Sequence, residues 1–241
     1  MKSEAKLYAV MGAIVALGGG FLVFNKDSGQ DPAAVAQPTP TPPPVTQESF
    51  SKLEATTRHF KGSSTARYTV IEFADFQCHS CRNTYDMVLK KFGKEFPQVR
   101  FGFRHFPLDS VHPFATPAAV AVEFADKQGK FWEVYEAILA KPKDELTQEI
   151  IDEAVKKAGL DMALFANAKT DASFSKLATD DRELGLQMGV SETPTFFVRD
   201  NQTKTVKMAV GWKGLYPELE KGIPGLPTPV PASNPPGLPS K

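Results

Sequence analysis

The chain has 241 residues, 28 Lys or Arg against 28 Asp or Glu, so it is formally neutral and composition makes no electrostatic case for nucleic acid as the main partner. Its hydrophobic content of 41% is ordinary for a soluble protein with a real core. Twenty prolines, concentrated near the two ends, exclude an evenly folded chain and point to a compact middle with extended flanks.

Residues 7–24 (LYAVMGAIVALGGGFLVF) carry no charge and follow Lys2 and Lys6. The run is just long enough to span a bilayer and long for the core of a cleavable signal peptide. The nearest small-x-small pattern, Ala34-Val35-Ala36, falls about ten residues beyond it, farther than a cleavage site usually lies. Three consecutive glycines and the lack of a polar face argue against a buried core helix. Residues 1–27 therefore read as a membrane anchor in preference to a signal, with residues 7–24 in the lipid bilayer. Lys2, Lys6 and the terminal amine before the run, against Lys26 after it, place everything beyond Asn25 outside the cytoplasm. Residues 28–48 are rich in Pro and Thr without apolar periodicity and read as a semi-rigid polyproline spacer.

Residues 49–222 carry the periodic segments. Residues 68–73 (YTVIEF) are β-branched and aromatic, as a central strand should be, and a short turn carries the chain to Cys78. A helix follows, with Cys81, Tyr85, Val88, Leu89 and Phe92 on one face. Residues 99–106 predict a second strand. Residues 118–140, interrupted at Gly129, 147–158 and 173–188 predict helices. A hairpin over 195–199 and 205–210, turning at Asp200-Asn201, and a last helix over 216–221 complete the order βαβ, helices, ββα. That order predicts one mixed sheet with a helical insertion at about 109–188. Residues 223–241 are expected to be a disordered Pro-rich tail.

The two cysteines, Cys78 and Cys81, form one C-x-x-C at a strand-to-helix junction. Thiols at i and i+3 face the same way, and the first sits where unpaired backbone N–H groups point outward. That field favours a thiolate, so Cys78 is expected to be the exposed nucleophile and Cys81, on the apolar face, the buried resolving thiol. A zinc site would need a second ligand pair, and His105 and His112 are wrongly spaced to supply one. A purely structural bridge would close too small a loop to stabilise much. A motif retained without activity in a binding protein is the remaining alternative. No metal or cofactor is expected.

Four separated segments, EFADFQCHSCR (72–82), RHFPL (104–108), KFW (130–132) and TPTFFV (193–198), together resemble the DsbA-like thiol–disulfide oxidoreductases over about residues 64–223. The resemblance implies an α/β thioredoxin-like fold, a mixed central sheet with a helical insertion, here preceded by a single transmembrane anchor. It also implies that Thr193-Pro194 is the cis-proline loop that presents backbone to substrate. Glu72 matches a buried acidic residue beneath the thiols, suited to exchanging a proton with Cys81; a solvated carboxylate on an edge strand is the alternative. His79-Ser80 replaces the Pro and aromatic or His that the family commonly carries, and Glu192 stands where it usually has Gly. His79 is thus a candidate for tuning the redox centre, while His105, Trp132 and Trp212 are expected to pack.

The function expected is disulfide donation to exported, cysteine-bearing proteins, with a membrane redox partner recharging the site. Isomerase or reductase chemistry on the same fold, and a surface binding protein or chaperone, are the rivals. The redox direction stays open.

Overall fold

The computed structural model describes residues 44–141 and 146–229. The expected membrane span at 7–24, most of the spacer and residues 230–241 of the expected tail lie outside the described residues. Among the described residues no helix is long and apolar enough to cross a membrane.

The sheet is organised around β2 (Tyr68–Ala74), all seven residues of which are buried. It pairs in parallel with β3 (Val99–His105) and antiparallel with β4 (Thr195–Asp200). The edges are β1 (His59–Lys61), antiparallel to β3, and β5 (Val206–Val210), antiparallel to β4, giving the order β1-β3-β2-β4-β5. Alternation along β2 divides its side chains between two cores. Tyr68, Val70 and Ala74 enter the larger core with α2 (His79–Met87), α8 (Gly211–Leu219) and the insertion, while Ile71 and Phe73 enter the smaller one with Phe50, Leu53 and Phe197. Glu72 therefore points into the larger core, on the face that carries α2 and its thiol.

The helical insertion lies between β3 and β4: α3 (Ala115–Asp126), α4 (Phe131–Leu139), α5 (Gln148–Lys157), α6 (Met162–Ala168) and α7 (Ala172–Gln187). Gly129, with φ of 68°, makes the break between α3 and α4 that the sequence predicts. The mixed sheet and the insertion are as expected.

Several elements were not legible. α1 (Gln47–Thr56) begins inside the segment read as spacer. Thr46 accepts from Ser49 N at 3.1 Å and Ser49 Oγ accepts from Thr46 N at 2.9 Å, a reciprocal cap. Phe50 and Leu53, three apart on one face, are fully buried against β2 and β4. β1 and α6 are too short to show periodicity; Asp161 caps α6 through Ala163 N and Leu164 N. The first residues of the expected tail at 223–241 are packed. Ile223 and Leu226 are buried in the larger core, and Trp212 Nε1 donates to Pro227 O at 3.0 Å. Two apolar side chains among prolines carry no periodic signal, and so that stretch reads as open chain.

Candidate active site

β2 delivers the chain to the thiols through Asp75, whose buried carboxylate is fully used. It accepts from Gln77 N at 2.7 Å, Leu108 N at 2.9 Å and His112 Nδ1 at 2.8 Å. Its backbone C=O accepts from Cys78 N at 3.1 Å, and Gln77 Oε1 accepts from Phe114 N at 2.8 Å. The turn before Cys78 is thereby fastened to the start of the insertion, which fixes where α2 begins. His112, which entered the sequence reading only as a misplaced zinc ligand, is one of those fastenings.

Cys78 is the N-cap of α2, with extended backbone and no side-chain cap. It is half-buried, a free thiol, and donates to Thr193 O at 3.4 Å. The Thr193-Pro194 peptide is cis, and both residues are buried beside the thiol. The Cys81 thiol donating to Cys78 sulfur, assisted by the backbone N–H groups of Ser80 and Cys81, outweighs burial and holds the Cys78 pKa down at about 6. Cys81 is 3% exposed, and burial drives its pKa well above the ordinary thiol range. The two thiols therefore differ in exposure and in the direction in which each pKa is moved. His79 and Ser80 are both exposed in the first turn of α2, as is Glu192 before the cis-proline loop.

Glu72 sits on the central strand, opposite Phe103 and Phe196, and is 1% exposed. The edge-strand alternative is ruled out. Neither carboxylate oxygen has a hydrogen-bond partner among the described residues. Burial first, then the nearby Cys78 charge, push its pKa up to about 8, against an opposing pull from Lys61. A small cavity, with about 10 Å³ of room for the centre of a water molecule, is lined by Glu72, Cys81, Asp75 and Tyr135. It is on the scale that a single water requires, and the carboxyl and the buried thiol open onto the same small cavity, whose other walls include Ala74, Phe76, Phe103 and Leu139.

Lys61 was missed. It is largely buried on β1, its ammonium 3.5 Å from Glu136 Oε1 and 5.0 Å above the Trp132 ring, and burial lowers its pKa. A single lysine in a three-residue edge strand leaves no signal in the sequence. His105 and Trp212 are packed, as expected.

Residues 54–215 match the family model described as Thioredoxin. Similar solved structures include alpha-DsbA2 from Wolbachia pipientis, 20% identical with a TM-score of 0.58 over 73% of this chain and 92% of that one. BdbD from Bacillus subtilis, in its oxidised form, is 24% identical with a TM-score of 0.52 over 61% of this chain and 82% of that one. These likenesses concern the fold. Among curated proteins, the Na(+)/H(+) antiporter NhaA 3 of Salinispora tropica is 35% identical over 140 residues, which is 58% of this chain and 21% of that protein. The NhaA 1 antiporter of Mycolicibacterium vanbaalenii is 30% identical over 202 residues, 82% of this chain and 31% of that one. The chain thus spans about a fifth to a third of the length of these relatives.

Proposed function

The chain belongs to the thioredoxin family and has the fold of the DsbA-like proteins, and from that premise we propose that it is a membrane-tethered thiol–disulfide oxidoreductase that introduces disulfides into exported proteins. The observation that carries the proposal is the asymmetry of the pair: a half-exposed Cys78 with a pKa of about 6 above a 3% exposed Cys81 with a raised one. In the donating cycle a substrate thiolate attacks Cys78 sulfur of the closed disulfide, and the Cys81 thiolate leaves. Glu72, protonated near neutral pH, supplies its proton across the shared cavity. A second substrate thiolate then attacks the substrate sulfur of the mixed disulfide and releases Cys78 as thiolate. The substrate loses two electrons and two protons, and a membrane redox partner restores the disulfide. Thr193 and Pro194 offer backbone to the substrate chain beside Cys78.

A depressed Cys78 pKa stabilises the reduced state, so the disulfide is oxidising. Equilibration with glutathione should give a potential above roughly −200 mV; a value near the −270 mV of thioredoxin would make the protein a reductase instead. Exposed His79 stands beside the nucleophile in the first turn of α2, where a positive charge would favour the Cys78 thiolate. His79→Ala is expected to raise the Cys78 pKa and lower the potential by about 30 mV. An unchanged thiolate titration would make His79 a bystander.

The anchor and spacer are part of the same proposal. Added to intact cells, a protease should cut between residues 28 and 43 and release a folded fragment that starts at or before the capped helix α1. Cutting only after lysis would place the domain inside and remove the export role. Antiport is not extended to this chain, which matches so small a share of the proteins that bear that name.

A further inference from the structure

We propose a second site, a divalent-metal centre formed by His59 Nε2, His105 Nε2 and Glu123 Oε1, on the side of β3 away from β2 and separate from the thiols. The three side chains come from β1, β3 and α3 and are each no more than 3% exposed. Both imidazoles direct Nε2 at the same carboxylate oxygen, each at 2.9 Å, and the three donor atoms lie within 4.8 Å of one another. Arg58 also reaches that oxygen, at 2.9 Å. Three nitrogens therefore crowd one oxygen that has two lone pairs. A cation placed among the three atoms relieves that crowding. Ligands about 2.0–2.1 Å from a tetrahedral zinc stand roughly 3.3 Å apart, so the two His–Glu contacts widen by a few tenths of an ångström while the two imidazole nitrogens, within 4.8 Å of each other, settle at the same spacing.

The surroundings fit a metal in two further ways. His59 Nδ1 faces Asp126 Oδ1 at 3.4 Å, which is the outer-shell carboxylate arrangement that orients a ligating imidazole. In the neutral ring the proton then sits on Nδ1 and Nε2 is left to coordinate. Arg58, the group that competes for Glu123, is about one-third exposed and already lies 3.6 Å from Asp181, so it has a second carboxylate to pair with when a metal takes its place. Two nitrogens and one oxygen, with one position left for water, suit a borderline ion such as zinc or cobalt over calcium or magnesium. Bound there, the ion would tie the edge strand β1 to β3 and to the insertion.

Because the C-x-x-C thiols also bind such ions, the full chain should be titrated with Co²⁺ in its oxidised form, where both sulfurs are in the disulfide. The expected result is one equivalent bound with visible ligand-field absorption and no thiolate charge-transfer band. His59→Gln and His105→Gln keep a donor toward Glu123, and each should weaken binding by more than the roughly 10–100-fold typical of outer-shell changes, while Asp126→Asn falls within that range. Arg58→Gln removes the competing cation and should tighten binding by about tenfold or more. Absence of the absorption in oxidised wild type and in Arg58→Gln would overturn the proposal and leave an ionic knot only. So would absorption that survives unchanged in His59→Gln. Neither outcome bears on the thiol chemistry, which is read separately from the redox potential.

Discussion

Replacing Cys78 by Ser is expected to abolish disulfide transfer, whereas Cys81→Ser should leave attack intact and accumulate covalent complexes with substrate. The asymmetry follows from position. Cys78 caps the helix, is half-exposed and has its pKa held at about 6, so it is mostly thiolate at neutral pH and can attack. Cys81, 3% exposed with its pKa driven up by burial, is protonated and out of reach of an incoming chain. In the donating direction it is the leaving group as the mixed disulfide forms; in the reverse direction it attacks the mixed disulfide from below, and without it a complex formed by the Cys78 thiolate on a substrate disulfide resolves only by an external thiol. Trapping after acid quench, followed by non-reducing electrophoresis, checks this. Adducts on Cys81 in Cys78→Ser, with none on Cys78 in the other variant, would reverse the assignment.

Glu72→Gln should make the reduced protein more stable and a worse catalyst. The carboxyl titrates at about 8 in the folded protein against an ordinary value of 4.5, and it is 1% exposed. Below pH 4.5 both states hold the proton and the group costs nothing. Between 4.5 and 8 the unfolded chain releases the proton while the folded chain keeps it, so stability falls as pH rises through this window. At pH 7 the loss is on the order of 3 kcal/mol, which glutamine, never ionising, does not incur. Urea unfolding from pH 4.5 to 8 should show a downward slope in wild type that flattens in the variant. Equal slopes would mean that Glu72 ionises freely. In the same variant the proton supplied to the leaving Cys81 is lost, and formation of the mixed disulfide from the closed disulfide should slow by about 100-fold.

The parts of this site that could be read from the sequence are those with a local pattern. The C-x-x-C, the apolar strand before it and the period-3.6 face that buries Cys81 are contiguous. Glu72 is singled out by the resemblance, as the acidic residue beneath the thiols; a carboxylate in YTVIEF conflicts with a buried strand, a conflict the fold retains and the proposed chemistry uses. Asp75, whose carboxylate joins the redox loop to Leu108 N and His112, carries no mark in the sequence, because these partners lie more than thirty positions away. His59 meets Glu123, and Lys61 meets Glu136, only when a three-residue edge strand pairs with β3 and the insertion packs over it. Nothing local marks them. α1 was hidden for a different reason: its cap uses Thr46 and Ser49, residue types equally at home in the Thr-rich segment before it.

Cys78 is a thiolate near neutral pH because the Cys81 thiol and the N–H groups of the first turn of α2 hold its charge. Titrating the thiolate absorbance of the reduced protein tests it directly. One thiol should ionise at about pH 6 and the other only far above the ordinary thiol range, with the lower value rising in Cys81→Ala. Two thiols that both ionise near 9, or a low value that is unmoved in Cys81→Ala, would contradict the account.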